Sequence, residues 1–180
     1  MSRAGEHPRL WRPRHWPMWA GLGFLWLTDK LPWPEKRLVA RGLAWIVFHL
    51  VRIRRRVVFT NLKLCFPEKS PAQIATLARA HYDSLALGLF EVCAGWWAKS
   101  SALPPHRVFG LEHLHAALAK GRGALLLTAH FTTLEIGGRL MSEVHTMGGL
   151  YRDPNNSVVA HLMRAQRARH MSPAVHFDDL

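Results

Sequence analysis

Apolar and charged residues follow one another in blocks along this chain, and the blocks predict its elements. Residues 1–15 are polar and basic, with Arg3, Arg9, Arg12 and Arg14. WPMWAGLGFLWLT follows at 16–28, thirteen residues without a charge, closed by Asp29 and Lys30. A spanning helix needs about 20 such residues, so this run is short for one. It reads as an anchor that lies in the interface or enters one leaflet; burial in a soluble core is the alternative. It lacks the small-residue site at which a signal peptide is removed. A second apolar run, GLAWIVFHLV at 42–51, leads into RIRRRVVFTNLKL. Trp45, Ile46, Phe48 and Val51 make an apolar stripe, and Arg52, Arg54, Arg55 and Arg56 cover more than one face. Basic residues beside a Trp-bearing apolar helix suit a membrane surface, while a solvated face on a core helix is the plainer reading. The pattern divides the chain into an N-terminal basic and apolar membrane-associated helical region, 1–56, and a second unit, 57–180.

Ser70, Pro71 and Gln73 form a capping box with proline at the first helical position, so a helix is expected from Pro71 to Cys93 or Ala94. Its apolar stripe is Ile74, Leu77, Ala78, Leu85, Leu89 and Val92, at core spacing. From residue 103 the texture changes. A short strand at Arg107–Phe109, a helix at Glu112–Ala119, a glycine-bounded turn and a buried strand at Ala124–Thr128 are expected in that order. A helix begins after His130, and a strand covers about Thr146–Tyr151. Asp153-Pro154-Asn155-Asn156 is a turn, after which Ser157 caps a helix from Val158 to Arg169. Val175-His176-Phe177 reads as one more strand just starting. Strand–helix–strand order predicts an α/β fold: N-terminal membrane-associated helices, then a mostly parallel sheet with flanking helices.

Composition sharpens this picture. The 180 residues are 49% hydrophobic, include 8 Trp and carry a formal net charge of +12, which calls for an acidic partner. Indole rings settle at the lipid–water boundary, so anionic lipid is favoured over nucleic acid. Cys65 and Cys93 are isolated thiols that match neither a metal nor a redox spacing, and His113 and His115 do not face each other on a helix. No metal or cofactor is expected. No Gly-x-Ser-x-Gly elbow occurs, which disfavours a hydrolase.

The chemistry concentrates in ALLLTAHFTTLEIGG, 124–138, where His130 ends a greasy run and Glu135 follows five positions later. On one regular helix the two would stand about 140° apart. With His130 at a strand end, the turn is free to swing its ring over the first helical turn, where Glu135 would accept from one imidazole nitrogen and leave the other as a base. An ordinary helix start with a stray histidine gives the same spacing. A helix N-terminus at a strand end also suits an oxyanion or phosphate.

HFTTLEIGG, preceded by GLEHL and KGRGALLL, resembles the His-x4-Asp/Glu block of the lipid A late acyltransferases, the lauroyl and myristoyl transferases within the lysophospholipid acyltransferase-like group. HPRLWRPRHW and GLGFLWL, RRR with NLKLCFPE, and YR with Asn156 match in the same order. The resemblance implies acyl transfer from an acyl carrier protein to a hydroxyl of a Kdo-bearing lipid A precursor, on the cytoplasmic face of the inner membrane. It maps the general base to His130 and its acidic partner to Glu135, and places Tyr151, Arg152 and Asn156 at the substrate. Arg152 is suited to phosphate, and Arg167 and Arg169 extend the basic surface toward carrier protein or head groups. Expected partners are therefore the acyl carrier protein, the lipid A precursor and anionic inner-membrane lipids, not nucleic acid. Family members are longer, so 57–180 is expected to be an incomplete acyltransferase domain whose C-terminal part is missing. A lysophospholipid or other lipid O-acyltransferase, or an inactive basic membrane-binding fragment, are the competing outcomes.

Overall fold

The computed structural model describes residues 10–171 and, for the backbone, 174–176. Arg3, Arg9, Phe177 and the terminal Asp178-Asp179-Leu180 lie outside the described residues. The charge-free run becomes helix α1, Trp16–Thr28. Helix α2, Trp33–Ile46, opens on prolines, carries Glu35 in its first turn and passes into a π-helical turn, Val47–Val51. Helix α3 is Arg55–Cys65, and α4 is Pro71–Trp97. The expected capping box starts α4: the Gln73 N–H donates to Ser70 Oγ at 3.3 Å, and the Ser70 N–H donates to Gln73 Oε1 at 2.8 Å.

Helix α4 is the spine against which α1, α2 and α3 pack. Its core-facing row is Ala78, Tyr82, Ala86 and Phe90, each four residues from the last, set against Ala40, Ala44 and Phe48. Alanines let two helix backbones approach, and the aromatic rings fill the remaining volume. Leu85 and Leu89, expected in the core stripe, stand half-exposed instead. The α1–α2 corner holds a buried ion pair: Lys36 Nζ lies 2.8 Å from Asp29 Oδ1, with side chains only 4% and 3% exposed.

The C-terminal part contributes α5, Leu111–Leu118; α6, Leu134–Val144; strand β1, Gly149–Tyr151; α7, Ser157–Arg167; and strand β2, Ala174–His176. Asn156 caps α7, not Ser157 as expected: its Oδ1 accepts from Val158 N at 3.0 Å and Val159 N at 3.2 Å.

The expected α/β fold with a mostly parallel sheet is not what forms. The chain is predominantly helical, and β pairing among the described residues is confined to three parallel positions, Gly149 with Ala174, Leu150 with Val175 and Tyr151 with His176. Arg107–Phe109 and Ala124–Thr128 form no strands. A strand takes its hydrogen bonds from neighbouring strands, and none of the described ones lies beside Ala124–Thr128. That run stays unpaired, with Leu125 and Leu127 each 96% exposed. No helix among the described residues is long and apolar enough to cross a membrane.

Candidate functional site

The turn before α6 lies against α4 because α4 lacks side chains there. A Cβ on Gly88 would come within 3.0 Å of Thr132 Cβ, and one on Gly95 within 3.3 Å of the Glu135 carbonyl and the Ile136 nitrogen. The two glycines are seven residues apart, about two helical turns, so they present one open strip along which Thr132–Ile136 is laid. Ile136 is buried there. The backbone of Glu135 is thereby fixed.

Its carboxylate is then held from two further elements. Trp96 Nε1–H, near the end of α4, donates to Oε2 at 3.0 Å. Arg167, the last residue of α7, donates from Nε to Oε2 at 3.3 Å and from Nη2 to Oε1. This is a two-pronged guanidinium–carboxylate pair, largely buried on both sides. The Arg167 guanidinium also stands 5.2 Å from the centre of the Tyr151 ring on β1, within cation–π range. One carboxylate thus gathers α4, α6, α7 and β1.

Three of the sequence-predicted site residues, Glu135, Tyr151 and Arg167, are brought together; the others are not. His130 is exposed in the extended segment ahead of α6, and no hydrogen bond joins it to Glu135. Arg152 is exposed. Asn156 commits its side-chain oxygen to the start of α7, and Arg169 donates from Nη1 to Gln166 Oε1 at 3.0 Å. Sequence reasoning missed Trp96, Gly88 and Gly95. The one available signal was Trp96 itself, because a buried indole N–H needs an acceptor.

Next along α6, buried Arg139 donates to Ser100 Oγ at 2.9 Å and pairs with Glu143 Oε1 at 2.7 Å. The Ser100 hydroxyl, with Arg139 in support, holds the Glu143 carboxyl below its usual range. Cys93 is no nucleophile: burial, aided by the charge of Asp29, pushes its thiol up to about 12.

Chemically, the arrangement offers a fixed carboxylate, with an uncommitted imidazole five residues earlier in the chain. A carboxylate has about four acceptor positions, of which the three N–H groups from Trp96 and Arg167 use three. The clamp is testable as a unit. A double-mutant cycle of Glu135→Gln and Arg167→Met, followed by urea unfolding, is expected to give a coupling of about 0.5–3 kcal/mol. Additive losses would show that the pair contributes nothing to folding.

A family model for bacterial lipid A biosynthesis acyltransferases matches residues 3–175. The chain is 34% identical over 161 residues to the lipid A biosynthesis lauroyltransferase of Escherichia coli K12, covering 89% of this chain and 53% of that protein. It is 32% identical over 158 residues to the palmitoleoyltransferase of the same strain, covering 87% and 52%. Against a lipid A biosynthesis acyltransferase of Haemophilus influenzae it is 28% identical over 165 residues, covering 90% and 52%. The chain therefore spans about half the length of the curated relatives it matches. No solved structure matches it.

Proposed function

This chain belongs to the bacterial lipid A biosynthesis acyltransferase family, and from that premise we propose that it carries the general base of an acyl transfer to a lipid A precursor. The observation that carries the reading is a carboxylate, Glu135, held in place by Trp96 and Arg167, with an exposed, uncommitted His130 five residues earlier in the chain. The donor is an acyl thioester on an acyl carrier protein, and the acceptor is a hydroxyl of a Kdo-bearing precursor. His130 takes the hydroxyl proton as the oxygen attacks the thioester carbonyl, and the carrier thiol leaves with a proton. The remaining acceptor position of Glu135 takes the second imidazole N–H when the exposed segment turns back over α6, which fixes the tautomer and stabilises the imidazolium. Arg152, exposed just after β1, serves a phosphate of the acceptor.

The protein works at the cytoplasmic face of the inner membrane. Support comes from Trp11, Trp16, Trp26 and Trp45, all exposed, and from the charge-free α1, with Arg12 and Arg14 ahead of it. The test is mass spectrometry of lipid A from cells with and without the gene that encodes this chain. The expected difference is one secondary acyl chain; identical lipid A from the two strains overturns the proposal.

A further inference from the structure

Between α2 and α3 the backbone takes a strained route. After the π-helical turn Val47–Val51, Arg52 and Arg54 adopt φ of 58° and 49°, the left-handed region in which glycine is at ease and an arginine is not. The strain is held from beneath. The Tyr82 hydroxyl on α4 donates to the Ile53 carbonyl, and the Arg55 guanidinium lies 4.4 Å from the centre of the Phe48 ring and 5.7 Å from that of Phe59. Arg52 Nε donates to the His49 carbonyl at 3.1 Å.

The outer side of the same turn is open. Arg52, Arg54 and Arg56 are exposed, and none has a carboxylate partner among the described residues. Helix α3 starts at Arg55, among them, without a side-chain cap, so the positive end of its dipole adds to their field. Leu50, Val51, Ile53 and Val57 are interleaved with the arginines and are between 52% and 65% exposed. Strain kept where glycine would relieve it points to use of the side chain it carries. Guanidinium forks match phosphate oxygens. Four exposed aliphatic side chains among the arginines have no counterpart in a nucleic-acid backbone, but they fit the acyl boundary just below lipid head groups.

We propose that the Leu50–Val57 turn is a head-group site: its three outward arginines hold phosphates of an anionic bilayer while its aliphatic side chains enter the boundary beneath. This rests on the membrane placement proposed above and deepens it, because it adds a charge-reading attachment to the apolar one supplied by α1.

The test is flotation of detergent-purified protein, after dilution, with vesicles of phosphatidylcholine alone or of phosphatidylcholine with phosphatidylglycerol. Replacing Arg52, Arg54 and Arg56 together by Gln is expected to lower partition onto the anionic vesicles about 100-fold, equivalent to about 1 kcal/mol per arginine near such a surface, with binding to phosphatidylcholine unchanged. A control triple with the same loss of charge at exposed cations elsewhere, Arg107→Gln, Lys120→Gln and Arg122→Gln, is expected to lose far less. Arg52→Gly with Arg54→Gly relieves the backbone, so it is expected to unfold no earlier than the parent and still lose anionic binding. The proposal is overturned by an equal loss in the control triple, by parental binding in either the Gln triple or the Gly double variant of the turn, or by a variant that loses retention on duplex DNA while keeping vesicle binding. Failure of the acyl-transfer reading shows in the lipid A spectrum and not in flotation, so the two fail separately.

Discussion

His130→Ala is expected to reduce acyl transfer by about 10²–10⁴-fold, the usual contribution of a positioned general base, in the protein that bears this chain. Stability and vesicle binding should stay at the parental level. The imidazole is exposed and makes no hydrogen bond among the described residues, so its removal leaves no cavity and no orphaned partner. Glu135→Gln is different in kind, since it alters a carboxylate bound to Trp96 and Arg167. It should lower kcat with little change in acceptor KM and should also loosen the fold, whereas His130→Ala should lower kcat alone. The assay is transfer from an acyl carrier thioester to a lipid A precursor. A loss of less than about tenfold in His130→Ala removes this residue as the base.

Lys36→Met is expected to destabilise the protein by about 3–5 kcal/mol, because it leaves the Asp29 carboxylate buried and unpaired. The two side chains are 4% and 3% exposed, so solvent screens little of the interaction. Lys36 also sits 4.9 Å from the centre of the Trp33 ring, which a neutral side chain would no longer attract as a cation. A domain's whole stability is about 5–15 kcal/mol, so this single substitution removes a large share of it. Combining Lys36→Met with Asp29→Leu should recover most of the loss, since an apolar pair of similar size is often no worse than a buried ion pair. Urea unfolding of the parent, the single and the double variant measures it, and a single-variant loss below about 1 kcal/mol, the level of an exposed pair, would mean that water reaches the pair.

What was legible in the sequence was local. The charge-free run bounded by Asp29 gave α1, and the Ser70–Gln73 box gave the start of α4, because each signal lies within one turn of what it controls. The helix following His130 and the one ending near Arg167 were legible for the same reason, and the ordered segments around HFTTLEIGG carried the family. What failed was non-local. Leu125–Leu127 has the look of a buried strand, but burial and pairing depend on neighbours that a run of leucines does not specify. The partners of Glu135 lie 39 and 32 residues away in opposite directions along the chain, and no spacing rule connects Trp96 or Arg167 to it. Asn156 and Ser157 are both good caps, and only the turn geometry selects between them.

The gathering of α4, α6, α7 and β1 on one carboxylate also determines what a genetic screen would report. Changes at Trp96, Tyr151 or Arg167 loosen the same anchor, so they would be scored as loss of activity alongside His130, although in the proposed mechanism none of the three carries the proton. Their signature would be recovery: lower temperature or a compensating change in the packing around the clamp should restore part of their function, whereas no compensating change restores a missing imidazole. Persistence of the defect under permissive growth, more than its severity, would separate the chemistry from the scaffold.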